Sequence, residues 1–260
     1  MIVYKTKWKL YIADLYIPER AVNNIVILVP GLPKSSSAEK IIKTFLSTGS
    51  AVLYPNFSGT FDSGGEFDGM QCVNDVREFI EWAQQPELTE LYFGKKIELN
   101  LNKKIVLAGM SFGAIASLLA CNDKVDKLIL LSPVLLFNQN EISKIVSFDF
   151  QSQMDSLLTL LEKAFPFTYR VQSFDSLKQF LHGHTDGLHR KDVENALNNL
   201  KSKTLIIHGK LDSSVHWQIS NAFRKSTSNK LVEWKFLKIG HSTSSYNKNS
   251  LNTISGFVKN

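Results

Sequence analysis

The spacing of hydrophobic positions changes several times along the chain, and each change marks an element. Residues 2–17 alternate apolar and polar side chains around Trp8, Lys9 and Leu10, the period of two expected of a pair of antiparallel strands. Ile25–Val29 is a continuous apolar run, rich in β-branched residues, that stops at Pro30-Gly31. Such a run predicts a strand buried on both faces, as a parallel sheet requires. Residues 38–48 read as a helix. Ala51–Tyr54 reads as a short strand, followed by Pro55 and a Gly/Ser-rich loop to Gly65. Met70, Val73, Val76, Phe79, Ile80 and Ala83 recur at helical spacing across 68–84. Ile105–Ala108 is a further buried strand and runs straight into Gly109. The small apolar stretch Ala114–Ala120 suits a helix packed closely on a sheet, and Lys127–Leu131 is the next strand, stopped at Ser132-Pro133.

The alternation then breaks, and residues 134–200 contain no buried strand signal. Met154, Leu157, Leu158, Leu161 and Phe165 fall on one helix face. Alternation resumes with the strand Thr204–Ile207, a helix near 216–225, the strand Val232–Ile239 and a helix near 247–258. Strands alternating with helices predict a three-layer α/β fold, a mostly parallel sheet with helices on both faces. The segment 134–200 reads as an inserted helical cap over the C-terminal strand edge, and 1–133 with 201–260 form one core. No internal repeat or low-complexity linker interrupts this pattern.

Composition narrows the class further. For a 29.3 kDa chain, surface scaling gives about 11,500 Å² exposed when folded against about 42,500 Å² extended, so roughly 73% is buried. With 43% hydrophobic and 21% charged residues, the chain is too apolar for disorder. Two cysteines, Cys72 and Cys121, fit neither a disulfide scaffold nor a zinc motif. No apolar run reaches the length that stable membrane insertion needs. The N-terminal residues alternate charge with apolar groups and show no signal-peptide core, so a cytoplasmic location is the expectation. The net charge of +6 hints at acidic partners. However, no basic block exceeds two lysines and no basic stripe carries interleaved aromatics, which argues against nucleic-acid binding.

The strongest chemical signal is Gly109-Met110-Ser111-Phe112-Gly113. It follows a buried strand and precedes a small-residue helix, the context in which G-x-S-x-G carries meaning. A serine on so sharp a turn adopts a strained positive φ and presents its hydroxyl, and a Cβ two positions to either side would crowd the turn. The helix N-terminus behind it favours developing negative charge. A serine hydroxyl is a weak nucleophile and needs a base, which in turn needs an orienting acid. Asp212 lies just past the strand ending near Ile207, and His241 just past the last strand. In open α/β sheets that edge is where sites form. His208 and His216 are rival bases and Asp62 a rival acid. His208 reads as locally hydrogen-bonded and His216 as a surface residue in the following helix. Acyl transfer also needs oxyanion donors. The Phe112 N–H is one candidate. The other is the Leu32 N–H in the turn Pro30–Pro33, since Pro33 has no N–H to offer.

Together these residues resemble the alpha/beta-hydrolase superfamily over nearly the whole chain. The chain order Ser111, Asp212, His241 is that superfamily's order. The resemblance implies an eight-stranded sheet with a cap inserted after the strand that ends at Ser132. Residues 207–215 look like the superfamily's acid loop, and Tyr54–Gly65 is similar to the glycine-rich loop of prolyl-oligopeptidase-like and acylaminoacyl-peptidase-like members. Many relatives carry His-Gly where this chain has Pro30-Gly31, but backbone donors do not depend on that histidine. No large propeller domain is present, so an endopeptidase role gains little support. Serine at the elbow argues against the aspartate-dependent dehalogenases and epoxide hydrolases of this fold, and the absence of cysteine there argues against dienelactone-type hydrolysis.

One competing pattern is His182-Gly-His184-Thr-Asp186 with His189, which resembles a metallo-β-lactamase ligand cluster. That type places histidine at 187, here Gly187, and follows a strand. Here the pattern follows the helical stretch Ser176–Leu181, so it reads as a turn of the cap. Leu135, Leu136, Phe137 and the stripe from Met154 to Phe167 either pack the cap on itself or line an apolar acyl pocket. The expectation is a serine hydrolase cleaving a carboxylic ester or thioester of a small-molecule acyl substrate, without metal or organic cofactor. Ser111 is its nucleophile, His241 its general base and acid, and Asp212 the residue that orients His241. An acyltransferase or thioesterase, a small acylaminoacyl-type peptidase, and a non-catalytic binding protein on the same fold are the alternatives.

Overall fold

Six parallel strands run in register, so their C-terminal ends line up along one edge, and that edge decides where the chemistry sits. The computed structural model describes residues 1–19, 22–34, 38–99, 104–164, 167–185 and 188–260. In chain order the elements are β1 (Ile2–Trp8), β2 (Tyr11–Ile17), β3 (Asn24–Val29), α1 (Glu39–Ser47), β4 (Ser50–Pro55), α2 (Gln71–Gln84), β5 (Glu87–Glu90), β6 (Lys96–Glu98), β7 (Lys104–Met110) and α3 (Phe112–Ala120). They continue with β8 (Lys127–Leu131), α4 (Gln139–Ser143), α5 (Phe150–Ala164), α6 (Phe174–Leu181), α7 (Arg190–Asn199), β9 (Lys203–Gly209), α8 (Trp217–Ser226), β10 (Val232–Leu237) and α9 (Lys248–Lys259).

The strands form one sheet in the order β10-β9-β8-β7-β3-β4-β2-β1-β5-β6. It is parallel from β10 to β4 and antiparallel from β4 onwards through β2, β1, β5 and β6. Among the described residues the sheet has ten strands, two more than the resemblance implies. The extra pair is the β5–β6 hairpin, which adds to the free edge of β1 through Thr6↔Glu90 and Lys7↔Thr89. These strands are short and rich in Glu and Lys, with Leu88 and Ile97 their only buried apolar residues, so no apolar period announces them.

The unbroken apolar runs are explained by packing on both faces. Ile25, Ile27 and Val29 of β3 join a core with α2, α3 and α8, while Val26 and Leu28 face α1 and α9. Ile105 and Leu107 of β7 divide from Val106 and Ala108 in the same way. The chain exposes 11690 Å², close to the scaling value for its mass. Among the described residues no helix is long and apolar enough to cross a membrane.

Two predicted boundaries shift for local reasons. The helix predicted from 68 begins at Gln71, because the Asp68 carboxylate takes the N–H groups of Met70 and Gln71 at 2.9 and 3.1 Å and forms the turn before it. The last strand ends at Leu237 rather than Ile239, because the Ile239 N–H turns back to the Leu237 carbonyl. That turn carries Gly240 and His241 out of the ladder.

The glycine-rich loop after β4 is clipped to β2 and α2. The Asn56 N–H donates to the Ile12 carbonyl, the Ile12 N–H to Ser63 Oγ, and the Gly64 N–H to the Leu10 carbonyl. Beneath it, buried Asp75 of α2 accepts from the Ser58 N–H (2.8 Å), Ser58 Oγ (2.7 Å), Tyr11 Oη (2.9 Å) and Gln71 Nε2 (3.2 Å). Burial pushes the Asp75 carboxyl up, and the hydrogen bonds from Ser58, Tyr11 and Gln71 offset that only in part. Replacing Asp75 with alanine leaves buried donors on three elements unpaired. Asp75→Ala should lose about 2–4 kcal/mol of stability, measured by urea denaturation. A loss below about 0.5 kcal/mol would show that the loop is held by other contacts.

Candidate active site

Ser111 sits where β7 meets α3, with φ 52° and ψ −115°, in the strained region foreseen for a serine on this turn. Both flanking glycines are required by space. A Cβ on Gly109 would lie 2.4 Å from the Gly113 carbonyl oxygen and 2.6 Å from Ala114 Cα. One on Gly113 would lie 2.2 Å from the Pro30 carbonyl oxygen. The turn is therefore wedged between its own helix and the loop after β3.

Three residues from distant parts of the chain meet there. His241 Nε2 lies 3.0 Å from Ser111 Oγ, and His241 Nδ1 lies 2.8 Å from Asp212 Oδ2. A carboxylate can only accept, so Nδ1 carries the proton and Nε2 presents a lone pair to the serine hydroxyl. An imidazole so placed can take the hydroxyl proton as the oxygen attacks an electrophile. The Asp212 side chain is fully buried, whereas the His241 ring is about a quarter exposed. Asp212 also accepts from the N–H groups of Ser214 (3.0 Å) and Val215 (2.8 Å).

Burial alone would raise the Asp212 carboxyl. Hydrogen bonds from His208 and His241, the charge of His241 and the Val215 N–H outweigh it and hold the carboxyl well below the usual range. His208 is buried and spends both nitrogens on the fold, Nε2 donating to the Val215 carbonyl at 2.8 Å and Nδ1 accepting from Ser220 Oγ at 2.7 Å. Its Nε2 also lies 3.4 Å from Asp212 Oδ2. This contact, and the two backbone donors to Asp212, were not visible in the sequence, although His208 and Asp212 stand four apart around one turn. His216 departs from the expectation of a surface helix residue. It precedes α8 and packs on Phe148 with ring centroids 4.2 Å apart, half-buried. Asp62 is far from this chemistry, exposed and paired with Lys5 Nζ at 2.6 Å.

Leu32, Ser111 and Phe112 line a cleft of about 370 Å³. Among the described residues neither backbone N–H is engaged with another group. Phe137, Met154, Leu157 and Leu181 also line it, together with Ser152, Gln153 and Ser156 of α5. Among the described lining residues none is acidic or basic apart from His241. A smaller space of about 240 Å³ also borders Ser111 and His241, against Pro33, Leu131 and Tyr246.

Leu135 and Leu136 are buried in the core, Phe167 is exposed, and Phe165 lies outside the described residues. The apolar stretch thus serves packing and cleft together. His182 accepts from Gln151 Nε2 at 3.0 Å and donates to Asp155 Oδ1 at 3.0 Å, and His189 caps α7. Asp186 and Gly187 lie outside the described residues. Among the described residues no group of three or more His, Cys, Asp and Glu side chains is arranged to hold a metal ion.

The lowered Asp212 carboxyl has a pH consequence with a definite sign. An acid whose folded pKa lies below the unfolded value of about 3.9 stabilises the fold above that value, and the contribution is lost as pH falls towards the folded one. The stability gap between wild type and Asp212→Asn should be full at pH 7, nearly full at pH 5 and clearly smaller at pH 3, by urea denaturation. A gap independent of pH would contradict the charged state assigned to Asp212.

Similarity to known proteins agrees with this geometry. Residues 7–141 match the family described as X-Pro dipeptidyl-peptidase (S15 family). No protein in the curated sequence comparison matches. Among solved structures, Est1E from Butyrivibrio proteoclasticus with ferulic acid bound superposes with a TM-score of 0.64 at 18% identity, covering 100% of this chain and 96% of that one. The esterase Pf2001 from Pyrococcus furiosus gives 0.67 at 17% identity, with 99% and 89% covered. The esterase EaEST from Exiguobacterium antarcticum gives 0.64 at 16% identity, with 99% of each chain covered. At such identities the likeness establishes the fold, and the sequence match establishes the lineage. The chain belongs to the X-Pro dipeptidyl-peptidase (S15) family, within the alpha/beta-hydrolase superfamily of serine hydrolases.

Proposed function

We propose that the chain hydrolyses a carboxylic ester or thioester with an uncharged acyl group, through an acyl-enzyme on Ser111. The observation that carries this reading is the relay from Ser111 Oγ to His241 to Asp212, at 3.0 and 2.8 Å, whose Ser111 and His241 line a cleft that has no other acidic or basic side chain among its described lining residues. Ser111 attacks the carbonyl carbon while His241 Nε2 takes its proton. The imidazolium is held by ionised Asp212 and then delivers the proton to the leaving oxygen or sulfur. The N–H groups of Phe112 and Leu32 stabilise the oxyanion, a contribution on the order of 10²–10³ in rate for each such donor. Water, deprotonated by the same imidazole, clears the acyl group. The two spaces bordering Ser111 and His241 suit an acyl group and a leaving group. In this reading 134–200 acts as a cap over a core of 1–133 and 201–260.

The family name favours a second reading, release of an X-Pro dipeptide. A dipeptidyl-peptidase substrate carries a free α-ammonium group, which needs an anionic or polar cage when desolvated. The cleft's described lining offers no carboxylate for it, since Asp212 is committed to His241 and two backbone donors. An uncharged acyl group meets no such cost. Est1E was solved with ferulic acid, an aromatic acid compatible with an apolar cleft.

The decisive experiment pairs fluorophosphonate labelling with a substrate comparison. Wild type should label and should cleave p-nitrophenyl esters, and Ser111→Ala should do neither while keeping its unfolding midpoint. Ala-Pro-p-nitroanilide should be cleaved at least 10²-fold less efficiently than p-nitrophenyl butyrate. Labelling that persists in Ser111→Ala would sink the nucleophile assignment, and efficient cleavage of the anilide would replace the ester reading by the peptidase one.

A further inference from the structure

A backbone oxyanion donor contributes only if it is held in place before the charge develops. Leu32 lies on a loop, so something must hold it. At one end the loop is fixed by packing: a side chain added at Gly31 would lie 3.3 Å from Ser111 Cβ and 3.4 Å from the Met110 carbonyl oxygen. At the other end is Lys34. Its N–H donates to the Tyr169 hydroxyl at 2.7 Å, and its ammonium donates to Asn56 Oδ1 at 2.6 Å while lying 3.8 Å from the centre of the Tyr54 ring. Between Leu32 and Lys34 stands Pro33, whose ring fixes φ. One of the rotations that could absorb a shift at Lys34 before it reaches Leu32 is thereby removed.

Tyr169 comes from the segment between β8 and β9, and residues 168–172 of that segment are sewn to the glycine-rich loop. The Phe61 N–H donates to the Thr168 carbonyl at 2.8 Å, and the Arg170 N–H to the Gly59 carbonyl at 2.8 Å. In return the Phe67 N–H donates to the Arg170 carbonyl at 2.7 Å, and the Gln172 N–H to the Phe67 carbonyl at 3.1 Å. The Arg170 guanidinium reaches the carbonyls of Phe61 and Ser63. The Tyr169 ring meets Phe61 and Phe67 edge-on, with centroids 5.9 and 5.5 Å apart, and is buried. A short strap thus fixes one hydroxyl against one backbone N–H of the loop that carries Leu32.

We propose that Tyr169 is a positioning residue: its hydroxyl anchors the Lys34 N–H and thereby sets the Leu32 N–H in the oxyanion site, coupling the inserted segment to turnover. This rests on the reading of Leu32 as an oxyanion donor. The strap makes most of its contacts through backbone groups and rings, and Tyr169→Phe keeps these while removing the hydroxyl that accepts from the Lys34 N–H.

The test compares wild type and Tyr169→Phe in hydrolysis of p-nitrophenyl butyrate, in inhibition by phenylboronic acid, which forms a tetrahedral adduct on the serine, and in amide exchange of the peptide spanning Leu32–Lys34. The variant should lose roughly 3- to 10-fold in kcat, the range one hydrogen bond supports, with KM within twofold. Phenylboronic acid should bind more weakly by a similar factor, and exchange in the loop should quicken. An unchanged kcat would overturn the inference. So would a fall in kcat with unchanged boronate affinity and unchanged exchange, because Tyr169 would then act on turnover without holding the loop that carries Leu32. A wild-type chain that neither labels nor hydrolyses esters overturns the serine-hydrolase reading itself, whereas an active wild type matched by Tyr169→Phe overturns this inference alone.

Discussion

Between α3 and the loop after β3 there is no room for a side chain at Gly113. An added Cβ would lie 2.2 Å from the Pro30 carbonyl oxygen and 2.7 Å from that of Val29. This contact locks the helix bearing Phe112 against the loop bearing Leu32, and both against Ser111. It is possible because β3 and β7 pair in parallel up to Val29↔Gly109, so the two chains leave the sheet side by side. Adjacent pairings repeat the effect: β7 and β8 finish at Met110↔Leu131, and β9 and β10 at Leu237↔Gly209. Ser111, Asp212 and His241 come together because each lies within four residues of a strand end that register has already aligned. Part of the cost of that alignment is backbone strain. Besides Ser111, Ser132 at the end of neighbouring β8 also takes a positive φ, 44°, without being glycine.

Two buried carboxylates show how the same fold yields opposite electrostatics. Asp75 and Asp212 are each nearly inaccessible and each accept several hydrogen bonds. Asp75 meets only neutral donors, and burial wins, so its pKa rises. Asp212 faces two imidazoles, and burial loses. A group whose task is to join β2, α2 and a loop works in either protonation state, because neutral donors remain bonded to it. In the proposed mechanism Asp212 must keep a proton on His241 Nδ1, and for that it has to remain an anion. The environments differ in the direction that these two demands require.

How much could be seen in advance follows from the range of each signal. The eight longer strands, the helices on both faces and the serine turn rest on patterns within a dozen residues, and the sequence displays them directly. The positions of Asp212 and His241 could be inferred because each follows a strand whose apolar run is plain. The β5–β6 hairpin left no trace, since Glu and Lys dominate it and its stability comes from the edge of β1. The strap at residues 168–172 was invisible for a related reason. Its bonds are backbone to backbone with a loop about a hundred residues earlier, and such pairing selects few side chains. Asp75 lay inside a correctly placed helix, but nothing local distinguishes a buried aspartate from a solvated one on the same period.

The segment between β8 and β9 illustrates the limit of dividing a chain into core and insertion. Leu135 and Leu136 are as buried as any residue of the sheet, and Phe137 reaches the cleft while packing on Phe150 and Phe180. From α5, Leu158 and Leu161 point into the core while Met154 and Leu157 line the cleft. One apolar stripe therefore does two jobs on one helix, because a face more than 100° wide can meet both a neighbour and a cavity. A lid free to swing would have to give up that core packing and the backbone bonds of the strap together. The contacts favour a wall built into the fold over a flap laid upon it, and that wall carries neutral polar groups, Ser152, Gln153 and Ser156, beside its apolar ones.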